Sequence, residues 1–249
     1  MKKRCLLVKV EVWSDFVCPF CYIGKRRLES ALNRFEHKDQ VEVEFKSYEL
    51  DPNSPKKIGR SIHEVIAEKY GMSMEEARNT NSGIAQQAKE EGLTYHFDAM
   101  QPSNTFDAHR LAQFAKTKGK EADVTEKLLH AYFTESRLLS DLETLADIAS
   151  EAGISREEAL KVLNNEEAYA NEVRMDEQVA RQIGVRGVPF FVINQKYAIS
   201  GAQPSEAFLG ALQKVWAEES AAPVLQDLSE GSGSGPACAD GSCDIPERK

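Results

Sequence analysis

The sequence predicts an α/β fold in which two strand-containing parts are separated by a long run of helices. Strand patterns occur twice near the start of the chain and return only near residue 189. Alternating apolar residues over 7–13 and 41–45 predict the first two strands, because a half-buried strand repeats every two residues. A cysteine pair, Cys18 and Cys21, lies between the first predicted strand and the first predicted helix.

The first helix is predicted from residue 22 to residue 35, directly after the cysteine pair. Pro19 suits the first turn of a helix, since its missing N–H would have no partner there and its φ is preset. Unpaired backbone N–H groups and the helix dipole stabilise an anion at such an N-terminus. A thiol at this place is therefore favoured as thiolate, the form that attacks disulfides.

Between Ser61 and Val179 the pattern predicts a succession of helices. Three segments fit the capping box, in which a Ser and a Glu three residues later satisfy each other's backbone N–H groups. These segments begin at Ser73, Ser140 and Ser155. Apolar residues recur at spacings of three and four, which indicates one buried face on each helix.

Residues 189–193 and 196–199 predict two further strands, joined by the turn-like Asn194 and Gln195, and a last helix is predicted over 205–217. A βαβ half and a ββα half with helices inserted between them describe a thioredoxin fold with a large inserted α-helical subdomain. The predicted parts are the βαβ part over 1–60, the helical subdomain over 61–175, the ββα part over 176–228 and a flexible tail over 229–249.

Composition excludes several classes of partner. The chain has 249 residues and a net charge of −9, which argues against nucleic acid and anionic membrane surfaces. No apolar run approaches the roughly 20 residues of a membrane-spanning helix. Lys9 and Glu11 interrupt the apolar stretch that could have formed a signal peptide. We therefore expect a cytoplasmic protein, where structural disulfides are unusual and a close cysteine pair is more often catalytic.

The spacing of Cys18 and Cys21 also occurs in half of a zinc site and in pairs of packed thiols. A structural zinc site needs a second pair of ligands and usually lies in a loop. The position after a strand and the intervening Pro19 favour a redox pair over these alternatives. We expect neither a bound metal nor an organic cofactor.

Three segments resemble the DsbA family of thioredoxin-fold oxidoreductases, and more narrowly its cytoplasmic FrnE-like branch. They are residues 13–21 (WSDFVCPFC), 104–111 (NTFDAHRL) and 184–192 (GVRGVPFFV). The resemblance implies that Cys18 is the attacking thiolate and Cys21 the resolving thiol. It also implies that Pro189 is cis and packs beside the cysteines, with the backbone of Val188 offered to an extended substrate.

These residues predict an enzyme, a protein thiol–disulfide oxidoreductase that works through a mixed disulfide. An extended polypeptide could add to the backbone edge at Val188 by strand pairing, next to Pro19 and Phe20. The expected partners are polypeptides with thiols or disulfides and a small-thiol or protein redox partner, and a homodimer is left open. Two alternatives are a thioredoxin-fold adaptor and a glutathione-dependent isomerase or transferase, whose relatives usually carry serine in place of Cys18.

The tail carries a second cysteine pair. The Gly/Ser-rich composition of residues 230–236 predicts a flexible linker, and Cys238 and Cys243 follow it on either side of an Asp-Gly turn former. A disulfide between these two thiols is sterically reasonable. The pair could relay electrons between Cys18/Cys21 and an outside partner, capture a metal, or have no role; we favour the relay.

Other residues near the motifs are weaker candidates. Asp15 and Glu11 are close enough in sequence to Cys21 to accept its proton, although Asp15 could serve only to shape the turn. A single helical histidine, His109, is expected to be structural. Cys5 is expected to be a packed or incidental thiol.

Overall fold

The structure is a computed structural model, and it describes residues 8–56 and 59–220. The predictions for Cys5 and for the tail pair Cys238 and Cys243 lie outside the described residues. None of the helices within the described ranges is long and apolar enough to cross a membrane.

The strands of the described residues form one four-stranded mixed sheet in the order β2-β1-β3-β4. The strands are β1 (Val8–Ser14), β2 (Val41–Ser47), β3 (Phe190–Ile193) and β4 (Tyr197–Ser200). Strand β1 pairs in parallel with β2 and antiparallel with β3, and β3 pairs antiparallel with β4. Chain segments that are far apart in sequence therefore meet at β1, the strand that leads into the cysteine pair.

Seven of the described helices lie between β2 and β3, and α1 and α9 lie outside this insertion. The helices are α1 (Pro19–Arg34), α2 (Ile62–Tyr70), α3 (Met74–Glu90), α4 (Phe106–Thr117), α5 (Glu121–Phe133), α6 (Leu142–Glu151), α7 (Arg156–Leu163), α8 (Ala170–Gln182) and α9 (Ser205–Ser220). The predicted thioredoxin fold with a helical insertion is confirmed.

The helix starts test the capping predictions. Ser73 forms the predicted capping box at the start of α3, and Ser155 caps α7 through its side chain. The prediction at Ser140 is wrong, because the Asp141 carboxylate accepts the backbone N–H of Thr144 at 2.8 Å and α6 begins one residue later. Serine and aspartate cap helices about equally well, and the Ser140 hydroxyl donates instead to the Lys56 carbonyl at 2.6 Å, so the aspartate takes the capping position.

Two apolar clusters hold the cysteine pair in place. One face of β1, with Val8, Val10 and Val12, packs against α1 and α9. The larger cluster fills the helical insertion and includes Tyr22 and Ile23 from the start of α1. Each fully buried apolar side chain of this size contributes roughly 1.5–3 kcal/mol. Helix α1 is therefore packed against both parts of the fold.

Candidate active site

The two thiols lie at the junction of β1 and α1. Cys18 is the N-cap residue of α1, with φ −89° and ψ 113°, and Pro19 occupies the first turn, as predicted. Both cysteines are reduced and nearly buried, with exposed fractions of 4% for Cys18 and 2% for Cys21. The Cys21 N–H donates to the Cys18 carbonyl at 3.0 Å, which keeps the pair within one turn.

The segment before β3 lies directly against Cys18. The peptide bond between Val188 and Pro189 is cis, as the resemblance implies. The Cys18 thiol donates a hydrogen bond to the Val188 carbonyl, with 3.4 Å between Sγ and O. Phe20, between the two cysteines, is 37% exposed. The structure thus brings the predicted substrate-contacting residues Val188, Pro19 and Phe20 together around one sulfur.

Sequence reasoning missed Gly24, which controls how closely α1 approaches this segment. A Cβ atom at Gly24 would lie 3.0 Å from Cγ of Pro189 and 3.2 Å from Cζ of Phe191. The backbone of α1 therefore packs directly on the proline ring, one turn after Cys21. The available signal was a glycine inside a predicted helix, which costs about 1 kcal/mol relative to alanine.

Cys21 is held as a thiol by its surroundings. Burial raises the pKa of Cys21 well above its ordinary value, and the neighbouring Cys18 raises it further. The backbone N–H of Asp15 donates to the Cys21 sulfur at 3.4 Å, and this N–H and the polar side chain of Ser14 both lower that pKa. A buried thiol of this kind needs a proton acceptor before it can attack a disulfide.

A buried Asp–His pair lies behind Cys21. The Asp15 carboxylate accepts the Leu50 backbone N–H at 2.8 Å, and His109 Nε2 lies 3.4 Å from its other oxygen. The side chains of Asp15 and His109 are 1% and 2% exposed. The histidine ring packs on Phe16, with 4.7 Å between ring centroids. His109, expected to be structural, is therefore placed next to the residue that hydrogen-bonds Cys21.

Glu11, the other acid considered near Cys21, lies elsewhere on the sheet. Its carboxylate is 3.6 Å from Nζ of Lys46 and 3.9 Å from Nζ of Lys9. These ion pairs satisfy Glu11 at the strand surface. Of the two residues, Asp15 is the one that contacts the cysteine pair, and it does so through its backbone N–H.

The first turns of α1 are also tied to the helical insertion by polar contacts. The Tyr95 hydroxyl donates to the Pro19 carbonyl at 2.8 Å. Glu126 on α5 accepts hydrogen bonds from Tyr22 at 2.6 Å and from Lys25 at 2.5 Å, and Arg26 pairs with both of its oxygens. Burial alone would raise the pKa of Glu126, but the Arg26 and Lys25 contacts outweigh it and lower the pKa to about 2.

Comparison with known proteins identifies the family of this site. The family model of the DSBA-like thioredoxin domain matches residues 9–213. The chain belongs to the DSBA-like thioredoxin family. The family's thiol–disulfide oxidoreductases share the fold found here, and the resemblance noted in the sequence is confirmed at the level of the family.

Individual relatives of this DSBA-like protein differ in how close they are. The crystal structure of the probable DsbA oxidoreductase SCO1869 from Streptomyces coelicolor is 39% identical, with a TM-score of 0.82, and the match covers 96% of this chain and 100% of that chain. Protein YwbO from Bacillus subtilis is 26% identical over 211 residues, covering 83% of this chain and 96% of that protein. The cytosolic disulfide reductase DsbM from Pseudomonas aeruginosa is 16% identical, with a TM-score of 0.58, covering 84% of this chain and 99% of that chain, and shares the fold alone.

Proposed function

We propose that this DSBA-like protein is a cytoplasmic protein thiol–disulfide oxidoreductase of the FrnE-like branch. The observation that carries the proposal is the contact between the Cys18 thiol and the Val188 carbonyl, with Cys21 buried one turn behind. In this arrangement the Cys18 sulfur can react with a substrate, and the Cys21 sulfur can react afterwards with Cys18. The cytosolic setting named for DsbM agrees with the sequence expectation.

In the proposed reaction, the Cys18 thiolate attacks one sulfur of a substrate disulfide. A bond forms between Cys18 and that sulfur, and the other substrate sulfur leaves as a thiolate. Cys21 then loses its proton and attacks Cys18, which releases the second substrate thiolate and leaves a Cys18–Cys21 disulfide. Two electrons pass from the enzyme to the substrate, and the reverse sequence oxidises a substrate dithiol.

Exposed apolar side chains around the site favour polypeptides as substrates. Phe20 and Leu50, which flank the cysteine motif and Asp15, are 37% and 39% exposed. Met175 and Val179 on α8 and its C-cap residue Ile183 follow one another at intervals of four, and all three are exposed. Helix α8 leads into the segment that carries Val188. Unfolded chains expose apolar side chains that such a surface can bind, and methionine adapts to varied partners.

The tail pair is the proposed route for electrons to and from an outside partner. Cys238 and Cys243 follow a Gly/Ser-rich sequence, a composition typical of linkers that can bring a tail back to an active site. A small thiol or a second redox protein would exchange with this pair, which would then exchange with Cys18 and Cys21.

Trapping the mixed disulfide tests the proposal. Replacing Cys21 with serine removes the resolving thiol, so Cys18 should accumulate a dithiothreitol-sensitive covalent adduct with a disulfide-containing polypeptide. The Cys18→Ser variant, which retains Cys21, should form none, and non-reducing electrophoresis with mass spectrometry distinguishes the two. If the Cys21→Ser variant forms no adduct through Cys18, the proposal fails and an adaptor or a small-molecule enzyme takes its place.

A further inference from the structure

The peptide unit between Pro19 and Phe20, inside the cysteine pair, is held by a residue from outside its own helix. The Tyr95 hydroxyl donates to the Pro19 carbonyl, with 2.8 Å between the two oxygens. Tyr95 belongs to the segment between α3 and α4, 76 residues further along the chain. A carbonyl in the first turn of a helix has a second lone pair for the helix's own hydrogen bond. The hydroxyl is therefore an additional partner that the helix itself does not require.

The Tyr95 ring is fixed by the aromatic side chains around it. It stacks on Phe133 of α5, with 4.4 Å between ring centroids, and on Tyr22 of α1 at 6.3 Å. Phe97 contacts it edge-on at 5.8 Å. The residue is 8% exposed. A ring packed in this way holds its hydroxyl in one place, so the Pro19 carbonyl is bonded to a fixed donor.

The segment that carries Tyr95 is tied to the end of α5. The His96 N–H donates to the Phe133 carbonyl at 2.9 Å, and the Thr134 hydroxyl donates to the Thr94 carbonyl at 2.8 Å. These two hydrogen bonds lie on either side of Tyr95 in the sequence. The helical insertion therefore sets the position of the hydroxyl.

The contact between the Cys18 sulfur and Val188 suits the thiol and not the thiolate. The thiol donates to the Val188 carbonyl, 3.4 Å away, and an ionised sulfur has no proton to donate. Cys18 is 4% exposed, so little water reaches the sulfur to replace this contact. A thiolate at this place needs an N–H donor from the start of α1.

The N–H of Phe20 is in the position to be that donor. The side chain of an N-cap residue accepts from the second or third N–H of its helix, which here belong to Phe20 and Cys21. The Cys21 N–H already donates to the Cys18 carbonyl at 3.0 Å. The second N–H of a helix has no partner inside the helix. The Phe20 N–H is therefore left for the Cys18 sulfur.

The Phe20 N–H and the Pro19 carbonyl are the two ends of one peptide unit. A hydrogen bond to the carbonyl draws electron density away from the nitrogen and makes the N–H a stronger donor, as in chains of hydrogen bonds that polarise one another. The effect is stronger away from water, and both Tyr95 and Cys18 are buried. Tyr95 can thus act on Cys18 through the peptide unit that lies between them.

We propose that the Tyr95 hydroxyl positions and polarises the Pro19–Phe20 peptide unit so that the Phe20 N–H binds the Cys18 thiolate. On ionisation, the Cys18 proton leaves to solvent and the Phe20 N–H replaces the contact with the Val188 carbonyl. The inference rests on the proposed function, in which Cys18 reacts as the thiolate. Tyr95 acts through the peptide unit and is a positioning residue.

Most ionisable groups around these contacts keep their charge between pH 4 and pH 9. Burial raises the pKa of Tyr95, as do the two cysteine sulfurs and Tyr22, so its hydroxyl stays protonated and continues to donate. Burial also raises the pKa of Cys21 and of Tyr22. Arg26 stays cationic, and Glu126, whose pKa is about 2, stays anionic.

Other charged or titratable side chains close to the contacts are the same in every variant below. Asp15 and His109 lie behind the resolving cysteine, His96 follows Tyr95, and Arg186 precedes the proline segment. Their contributions cancel when the pH profiles of two variants are compared.

The test measures the ionisation of Cys18 from its alkylation rate between pH 4 and pH 9. The reduced full chain reacts with iodoacetamide, and peptide mass spectrometry follows Cys18 separately from the other cysteines. In Tyr95→Phe the midpoint of the profile should lie about 0.5 pH unit higher than in the natural chain, which lowers the thiolate fraction below the midpoint about threefold. The plateau rate at high pH should stay within about twofold, because nucleophilicity changes little with so small a shift.

Nuclear magnetic resonance follows the peptide unit directly. In the natural chain the amide proton signal of Phe20 should move downfield with the same midpoint as the alkylation of Cys18. The movement should be smaller in Tyr95→Phe. The carbonyl carbon signal of Pro19 should move upfield in that variant, because the carbonyl loses one of its hydrogen bonds.

Tyr22→Phe is the matched control. It removes a buried hydroxyl from the same aromatic cluster, where Tyr22 donates to Glu126 at 2.6 Å, and it leaves the Pro19 carbonyl bonded to Tyr95. Its melting temperature should fall by about as much as that of Tyr95→Phe, since each variant loses one hydrogen bond. Its Cys18 midpoint should match that of the natural chain.

The outcomes separate the two proposals. Equal Cys18 midpoints in Tyr95→Phe and the natural chain overturn the role of Tyr95, as does an equal shift in Tyr22→Phe. If Tyr95→Phe does not fold, the natural chain decides, and a Phe20 amide signal that does not follow the ionisation of Cys18 overturns the role. Failure of the Cys21→Ser variant to trap a substrate disulfide overturns the proposed function instead, and alkylation by iodoacetamide does not depend on that result.

Discussion

Gly24→Ala tests the close packing of α1 on the proline segment. Alanine is favoured over glycine inside a helix by about 1 kcal/mol, so the substitution would stabilise α1 by that amount if no atoms lay near Gly24. The added methyl group would instead lie 3.0 Å from Pro189 and 3.2 Å from Phe191. Overpacking of this kind costs about 1–3 kcal/mol, because both rings are packed and must move by a few tenths of an ångström. The expected net change is a loss of about 0–2 kcal/mol.

A matched control gives the opposite sign. Gly83 lies inside α3, and a Cβ there would meet no atom within 4 Å. Gly83→Ala should therefore gain about 0.5–1 kcal/mol, which raises Tm by roughly 1–4 °C for a domain of this size. Displacement of Pro189 in Gly24→Ala should also slow disulfide exchange, whereas Gly83→Ala should leave the rate unchanged.

Urea unfolding and the rate of insulin reduction measure the two effects on the same samples. The two alanine variants should differ by about 0.5–3 kcal/mol in the free energy of unfolding, with Gly24→Ala the less stable. If Gly24→Ala is stabilised as much as Gly83→Ala and exchanges disulfides at the natural rate, the close approach of α1 to the proline segment does not govern the site.

Two further predictions concern stability and substrate choice. Glu126→Gln should cost about 1.5–3 kcal/mol at pH 7 through weaker contacts with Lys25 and Arg26. Because folding lowers the pKa of Glu126 to about 2, its stabilisation is present above its unfolded pKa and lost as pH falls from about 5 to 2. Urea titrations should show the gap between variant and natural chain closing over that range; a constant gap contradicts the assignment. A double variant with Met175→Glu and Val179→Glu should have a severalfold lower kcat/KM for an unfolded polypeptide and an unchanged kcat/KM for a small aromatic disulfide. Equal losses of kcat/KM on the two substrates would exclude a docking role for these residues.

The order of elements and the cysteine pair could be predicted because their signals are local. The period of two in β1 and the position of Pro19 depend on neighbouring residues alone. The resemblance added the placement of Pro189 beside the cysteine pair, and in the structure the Cys18 thiol contacts the carbonyl of Val188, 170 residues away. Local sequence patterns do not predict contacts between residues that are so far apart in the sequence.

The surroundings of Cys21 could not be predicted for the same reason. His109 reaches Asp15 across 94 residues, and Tyr95 reaches Pro19 across 76 residues. Neither residue belongs to a recognisable spacing with the cysteines, and only the packing of the helical insertion on the sheet brings them there. The cap of α6 failed on a finer scale, since Ser140 and Asp141 both suit an N-cap and the hydroxyl of Ser140 instead donates to the Lys56 carbonyl at 2.6 Å.

The reduction potential of the Cys18/Cys21 pair tests the central claim most directly. The pair would be equilibrated in glutathione buffers of graded potential, trapped with a thiol reagent and analysed by mass spectrometry. The intact chain would be compared with a Cys238→Ser, Cys243→Ser variant. A reversible two-electron transition is expected at Cys18 and Cys21, reached more slowly or shifted when the tail thiols are absent. If Cys18 and Cys21 form no reversible disulfide with each other, the protein is not a thiol–disulfide oxidoreductase.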